Sequence, residues 1–253
     1  MEKFVIEGGV PLQGDVTPGG NKNAALPLIA ACLLTDEPII LRNLPQIKDV
    51  AVMRQLIESL GSQVEDLDAT SWRITSRDLE PADLDPDLCR RIRASILLAG
   101  PMAARIGKFK LSPPGGDVIG RRRLDTHILA LRALGTEVEY DRGFTFNANG
   151  LHGADILLDE ASVTATENAI MAAVRANGET VLRNAASEPH VQDLCHFLNG
   201  LGARIEEIGS NTLHIQGVQK LHGGEFTIGP DYLEVMSYVG AAAVTHGAVR
   251  VKN

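Results

Sequence analysis

The 253-residue chain is poor in aromatic residues, at 4% of the sequence with a single tryptophan. That scarcity argues against a base-stacking surface for single-stranded nucleic acid. Positive charge is short as well. The 24 lysines and arginines stand against 32 aspartates and glutamates, a formal net charge of -8, which is the wrong balance for neutralising phosphates along a nucleic acid. Cysteine is nearly absent: Cys32, Cys89 and Cys195 are odd in number, far apart and form no CxxC pair. Zinc and a disulfide framework are therefore disfavoured, and a reducing cytoplasm is the expected compartment. Long apolar runs are missing too. The stretch Ala24 to Leu34 has eleven residues, too few to span a bilayer, and the segment Met1 to Glu7 has no apolar region of the secretory kind.

What is present is a globular composition, 44% apolar and 22% charged, able to bury a substantial core in one large or two smaller domains. Against the acidic background, Arg90, Arg91, Arg93 and Arg121 to Arg123 stand out and suggest a small, focused anion site.

The chain repeats itself. Leu60-Gly61-Ser62-Gln63-Val64-Glu65, Leu134-Gly135-Thr136-Glu137-Val138-Glu139 and Leu201-Gly202-Ala203-Arg204-Ile205-Glu206 share the pattern Leu-Gly-x-x-(Val/Ile)-Glu. Each predicts an amphipathic helix closing at glycine and a strand beginning. Strand starts at Leu41, Leu111, Leu182 and Val251 lie 70, 71 and 69 residues apart. Before each comes a helical stretch apolar on nearly every face, at Ala24 to Leu34, Ala94 to Ala104, Ala169 to Val174 and Val235 to Val244. Helices of that kind must be buried. The expected fold is α/β (α+β), with units of two helices and about four strands, the apolar helices inside and the sheets outside. Pro27 and Pro101 are expected to kink or interrupt their helices.

Two features break the period. A fourth unit has only begun at Val251-Lys252-Asn253, so a longer parent protein is expected. In the second unit, 24 residues separate the strand leucine from the Leu-Gly glycine, against 20 in the first and third. The excess falls in Pro113 to Arg123, a loop with Gly115, Gly116, a central Asp117 and Arg121 to Arg123. Additions to a repeat tend to carry function.

Asn21-Lys22-Asn23-Ala24-Ala25-Leu26-Pro27, Arg93-Ala94-Ser95-Ile96, the Pro-Gly-Gly-x-x-x-Gly-x-Arg-x-x-Asp-x-His pattern from Pro114 to His127, Ser162 to Asn168 and Ala185 to Pro189 together resemble the UDP-N-acetylglucosamine 1-carboxyvinyltransferase family. The resemblance runs through the whole chain. It implies transfer of an enolpyruvyl group from phosphoenolpyruvate to the 3'-hydroxyl of UDP-N-acetylglucosamine, in peptidoglycan precursor synthesis, with neither cofactor nor metal. It also implies an inside-out α/β barrel of three repeated units, paired with a second domain across a cleft. Residues 1–20 and 230–253 are then expected in the second domain and 21–229 in the complete one, and the missing second-domain segment is a partner of this chain.

The resemblance places Lys22 and Asn23 at the reacting groups and Arg93 and Arg122 on the substrates' anionic and polar parts. Asp117 stands where many members carry a cysteine that acts as general acid, so fosfomycin-type epoxides, which alkylate that thiol, are not expected to label it. Arg123 replaces a common proline and Thr164 a common glycine. Arg123, Leu124, Asp125, Thr126 and His127 are expected near the nucleotide sugar, with Asp125 read equally as a helix N-cap and His127 equally as structural. Ser162, Val163 and Thr164 are expected to receive the diphosphate or uracil. The cysteines are read as buried, inert thiols. Two other readings stay open: a half-enzyme that binds nucleotide sugar without turnover, and a related synthase acting on an enolpyruvylshikimate-type substrate.

Overall fold

The computed structural model describes residues 3–5, 7–80, 83–116 and 123–252, and the sequence period reappears in it as a repeated helix-and-hairpin unit. Strand β1 (Gln13–Val16) precedes the first unit, made of α1 (Lys22–Ala31), β2 (Ile39–Arg42), α2 (Lys48–Ser59), β3 (Gln63–Asp68) and β4 (Ser71–Thr75). The second comprises α3 (Pro86–Arg91), α4 (Ala99–Arg105), β5 (Lys108–Leu111), α5 (Asp125–Ala133), β6 (Thr136–Tyr140) and β7 (Phe144–Ala148). The third runs through β8 (Asp155–Leu157), α6 (Val163–Ala173), β9 (Glu179–Arg183), α7 (Pro189–Gly200), β10 (Arg204–Glu206) and β11 (Thr212–Gln216). After it come β12 (Gly224–Thr227), α8 (Tyr232–Val244) and β13 (Ala248–Val251).

The repeated Leu-Gly is a helix stop. Leu60, Leu134 and Leu201 cap α2, α5 and α7, and the glycines that follow have φ of +97°, +99° and +96°, a conformation that costs a side-chain-bearing residue energy. In α2 the Ser62 and Gly61 N–H groups reach back to Ile57 and Glu58 carbonyls, which satisfies the last turn and sends the chain into β3.

Three sheets result, ordered β12-β2-β4-β3, β5-β7-β6 and β10-β11-β9-β8. In each, the opening strand pairs antiparallel with the second strand of its hairpin. The fourth strand of two sheets runs parallel to its neighbour: β8, which opens the third unit, beside β9, and β12, which follows the third unit, beside β2. Pairing β12 with β2 joins the end of the third unit to the first and closes the body. Asn43 and Asn184, both at positive φ just past β2 and β9, tie these joints by donating from Nδ2 to the Ile228 and Leu158 carbonyls, each at 2.9 Å.

The apolar helices are inside, as expected. Every residue of α1 from Ala24 to Ala31 is buried, and α6 is buried from Ala165 to Ala173. Pro27 lies within an unbroken α1; its missing N–H releases the carbonyl of Asn23 four residues back. The second apolar stretch is divided, with a 3-10 turn from Arg93 to Leu98 and then α4. Pro101 sits in the first turn of α4, where an N–H has no intrahelical partner to lose. One side chain locks two of these elements together: fully buried Asn168 of α6 accepts from the Gly100 N–H at 2.7 Å and donates to the Ile96 carbonyl at 2.8 Å.

The fourth apolar helix behaves differently. No residue of α8 is buried, and Leu233, Met236, Val239 and Val244 are exposed. It packs beside β13, which pairs in parallel with β1. The chain passes between this portion and the three-unit body at two adjacent crossings, where Gly20 bridges Pro230 and Asn21 N–H bonds the Gly229 carbonyl at 2.9 Å.

Candidate active site

The site lies where helices begin. Lys22 opens α1, capped by the Asn21 side chain, which accepts from the Ala24 N–H at 3.0 Å. Val163 opens α6, capped by Ser162. Pro189 opens α7, and Arg93 opens the 3-10 turn. Helix starts carry unpaired N–H groups and the positive end of the dipole, so their convergence favours an anion.

Between them is a cavity of about 340 Å³ whose walls include Lys22, Asn23, Arg91, Arg93, Thr164 and Glu167. A second cavity of about 340 Å³ adjoins it, walled by Arg93, Arg123, His127 and Glu160 to Thr164. Arg93, Val163 and Thr164 belong to both. We refer to these as the inner and outer cavities. Among the described residues, the inner one carries Lys22, Arg91 and Arg93 against one exposed-side carboxylate, Asp49. Asp49 Oδ2 is 3.2 Å from Lys22 Nζ, with both side chains about two-fifths exposed. A pair so solvated contributes at most about 1 kcal/mol, so an anionic ligand can displace it.

Burial shifts two other titratable groups of the inner cavity toward their neutral forms. Burial raises the Glu167 carboxyl well above the ordinary range, and nearby Glu188 pushes the same way. Burial also lowers His190, opposed by Glu188 and Asp231. His190 Nδ1 is 3.1 Å from the Tyr232 hydroxyl, and the two rings stack at 6.1 Å, which links the cavity to α8.

His127 is 2% exposed, and its tautomer follows from its neighbours. Asn168 is oriented by two backbone groups, so its Nδ2 must donate to His127 Nδ1, at 2.9 Å. Nδ1 is therefore an acceptor and the proton is on Nε2, which donates to Thr164 Oγ1 at 3.1 Å. That leaves the Thr164 O–H to donate elsewhere. Burial first, and the Arg93 charge second, push His127 down to about 3; it is a neutral positioning group.

Of the candidate residues, the structure brings Lys22, Asn23, Arg93, Arg123, His127, Ser162, Val163 and Thr164 to the two cavities. Leu124, Asp125 and Thr126 lie beside them without forming the walls. Leu124 packs against the core, and Thr126 Oγ1 donates to Asp159 at 2.7 Å. Asp125 is not the cap of α5: that position is Leu124, and Asp125 accepts instead from Arg123 Nε at 2.5 Å. Asn23 is likewise not a cap, since Asn21 performs that role. Asp117 and Arg122 lie outside the described residues. The start of their loop is fixed, however. Gly115 and Gly116 N–H groups bond the Cys89 and Arg90 carbonyls, and a Cβ at Gly115 would meet the Arg90 oxygen at 1.7 Å. Gly116 itself lines the inner cavity.

Glu167, His190 and Glu160 were not among the candidate site residues, and Arg91 was named only among the basic groups that suggest an anion site. The signal for Glu167 was available as Thr166-Glu167-Asn168, a polar triplet within an otherwise apolar helix. The three cysteines are buried, with burial pushing Cys89 up to about 11, Cys195 up to about 12 and Cys32 higher still.

The model of the EPSP synthase (3-phosphoshikimate 1-carboxyvinyltransferase) family matches residues 6–253. The chain belongs to that family. Within it, UDP-N-acetylglucosamine 1-carboxyvinyltransferase of Treponema denticola is 56% identical over 251 residues, spanning 99% of this chain and 59% of that protein. The protein of the same name from Bradyrhizobium diazoefficiens is 55% identical over 249 residues, spanning 98% and 58%. Among solved structures, the enolpyruvyl transferase NikO from Streptomyces tendae superposes with a TM-score of 0.81 at 25% identity, over 92% of this chain and 56% of that one. EPSP synthase from Acinetobacter baumannii gives 0.75 at 19% identity, over 96% and 56%, and shares the fold. The chain thus spans about three-fifths of the length of the curated relatives it matches. Among the described residues, no helix of this EPSP synthase family member is long and apolar enough to cross a membrane.

Proposed function

We propose that this chain carries the substrate-binding body of a UDP-N-acetylglucosamine 1-carboxyvinyltransferase, a cytoplasmic enzyme of peptidoglycan precursor synthesis. The enolpyruvyl group of phosphoenolpyruvate moves to the 3'-hydroxyl of the sugar, and phosphate leaves with the hydroxyl's proton. The observation that carries this reading is the pair of adjoining cavities with a common wall at Arg93, Val163 and Thr164. A small polyanion fits the cationic inner cavity, a nucleotide fits the outer one, and their reacting groups meet at the shared wall.

In this reading Lys22 and Arg93 hold the phosphate and carboxylate of phosphoenolpyruvate, with Asn23 beside them. Arg123, Ser162, Val163 and Thr164 receive the nucleotide, the Thr164 hydroxyl aimed by neutral His127. Arg122 adds charge from the loop and Leu124, Asp125 and Thr126 back it. Asp117 gives a proton to the methylene carbon of phosphoenolpyruvate as the sugar oxygen bonds to the adjacent carbon, for which its carboxyl must be protonated when substrates are bound; a proton then leaves the resulting methyl group as the C–O bond to phosphate breaks, restoring the enolpyruvyl double bond. Residues 21–229 form the complete domain, and 1–20 with 230–253 belong to a second one that completes the cleft.

Calorimetric titration of this chain tests the choice of substrate. Saturable binding of UDP-N-acetylglucosamine, with none of shikimate 3-phosphate, is expected. The opposite preference overturns the reading. A phosphate-release assay with both substrates then separates a transferase from a module that only binds.

A further inference from the structure

Glu167 lies one turn into α6, at the floor of the inner cavity. It is 1% exposed, and its Oε1 has no hydrogen-bond partner. Buried polar atoms are almost always paired, and one left unpaired at a cavity wall calls for a partner from the ligand. Other charged and titratable groups line the same cavity or lie near this carboxyl. Lys22 comes from α1, Asp49 from α2, and Arg91 and Arg93 from α3 and the turn after it. From α7 come Glu188, His190 and the buried thiol of Cys195. With water excluded and Glu188 near, the carboxyl is pushed toward its protonated form, a hydrogen-bond donor rather than a negative charge.

We propose that Glu167, as a neutral acid, donates its O–H to an anionic oxygen of phosphoenolpyruvate bound beneath Lys22 and Arg93, the substrate oxygen being the partner that Oε1 lacks. The inference rests on the inner cavity being the phosphoenolpyruvate site. A neutral donor here has a specific use. Two cations attract any anion, whereas an O–H on the far side fixes where one oxygen sits and so orients the enolpyruvyl carbon. An ionised carboxylate at the same place would repel the ligand, so the site works only while Glu167 stays protonated.

The test is phosphoenolpyruvate binding to the 253-residue chain, by calorimetry with UDP-N-acetylglucosamine present throughout, for the unaltered chain and for Glu167→Leu, Glu167→Gln and Arg93→Ala. Leucine has similar bulk and suits the apolar surroundings of α6, so the fold is retained. Glu167→Leu is expected to weaken binding about tenfold, and Glu167→Gln, whose amide restores a donor, to recover to within about threefold. As pH rises, the unaltered chain should lose affinity relative to Glu167→Gln, which lacks this titrating carboxyl. Unchanged binding in Glu167→Leu, or parallel pH curves for the unaltered and Gln chains, overturns the role of Glu167 and leaves the cavity assignment standing. No binding to the unaltered chain, or binding indifferent to Arg93→Ala, overturns the cavity assignment and the proposal with it.

Discussion

His127 offers a prediction that depends on its buried hydrogen bonds rather than on activity. In the folded chain its pKa falls from 6.5 to about 3, while in the unfolded chain it is ordinary. Between those values the unfolded state binds a proton that the folded state refuses, so folding stability falls as pH drops from 6.5 towards 3. The slope for one proton is about 1.4 kcal/mol per pH unit, and the whole window amounts to about 5 kcal/mol. Carboxylates titrate in the same range, so the measurement must be a difference. Urea unfolding at pH 7, 6, 5 and 4 for the unaltered chain and for His127→Gln isolates it, because glutamine has no proton to take up. The unaltered chain should lose stability faster on acidification by about 1 kcal/mol per unit, whatever the variant's absolute stability. Parallel curves would refute both the buried neutral imidazole and the tautomer inferred from Asn168.

Other consequences follow from the same geometry. Asn168→Ala removes the side-chain partner of the Gly100 N–H and of His127 Nδ1 and one of two donors to the Ile96 carbonyl, and should cost about 2–4 kcal/mol in urea unfolding. Gly115→Ala drives a methyl into the Arg90 carbonyl; it should destabilise the chain by about 1–3 kcal/mol and weaken UDP-N-acetylglucosamine binding by displacing the loop, as read by calorimetry. Fosfomycin should leave the intact mass unchanged, since no thiol occupies position 117 and Cys32, Cys89 and Cys195 are buried and protonated. An adduct mapped to Asp117 would contradict that.

Much of the fold is legible because it rests on local rules repeated three times. The Leu-Gly stops mark glycines that need positive φ, and the all-round apolar helices α1 and α6 are central, although α8 is not. The joints between units are less visible. β12 pairs with β2 across about 180 residues, and nothing local to Gly224–Thr227 announces a parallel edge; the Arg-Asn pairs at Arg42-Asn43 and Arg183-Asn184 were the available sign. The apolar stretch from Ala94 to Ala104 is interrupted, as Pro101 led one to expect, with a new helix starting near the proline, whereas Pro27 does not break α1. Around the site, Lys22, Arg93 and Ser162 to Thr164 were expected from the family resemblance. Glu167 and His190 were not, because their importance comes from burial against other units. Asp125 was read equally as a cap, a local preference overridden when Arg123 took its carboxylate.

The central claim is that the two joined cavities bind a nucleotide sugar and an enolpyruvyl donor. The most direct measurement is an amide NMR titration of this chain with UDP-N-acetylglucosamine. The account predicts saturable shifts concentrated at Lys22, Asn23, Arg93, His127 and Ser162 to Thr164. Shifts centred instead on the basic cavity formed by Arg105, Arg175 and Lys220, or none at saturating ligand, would contradict it.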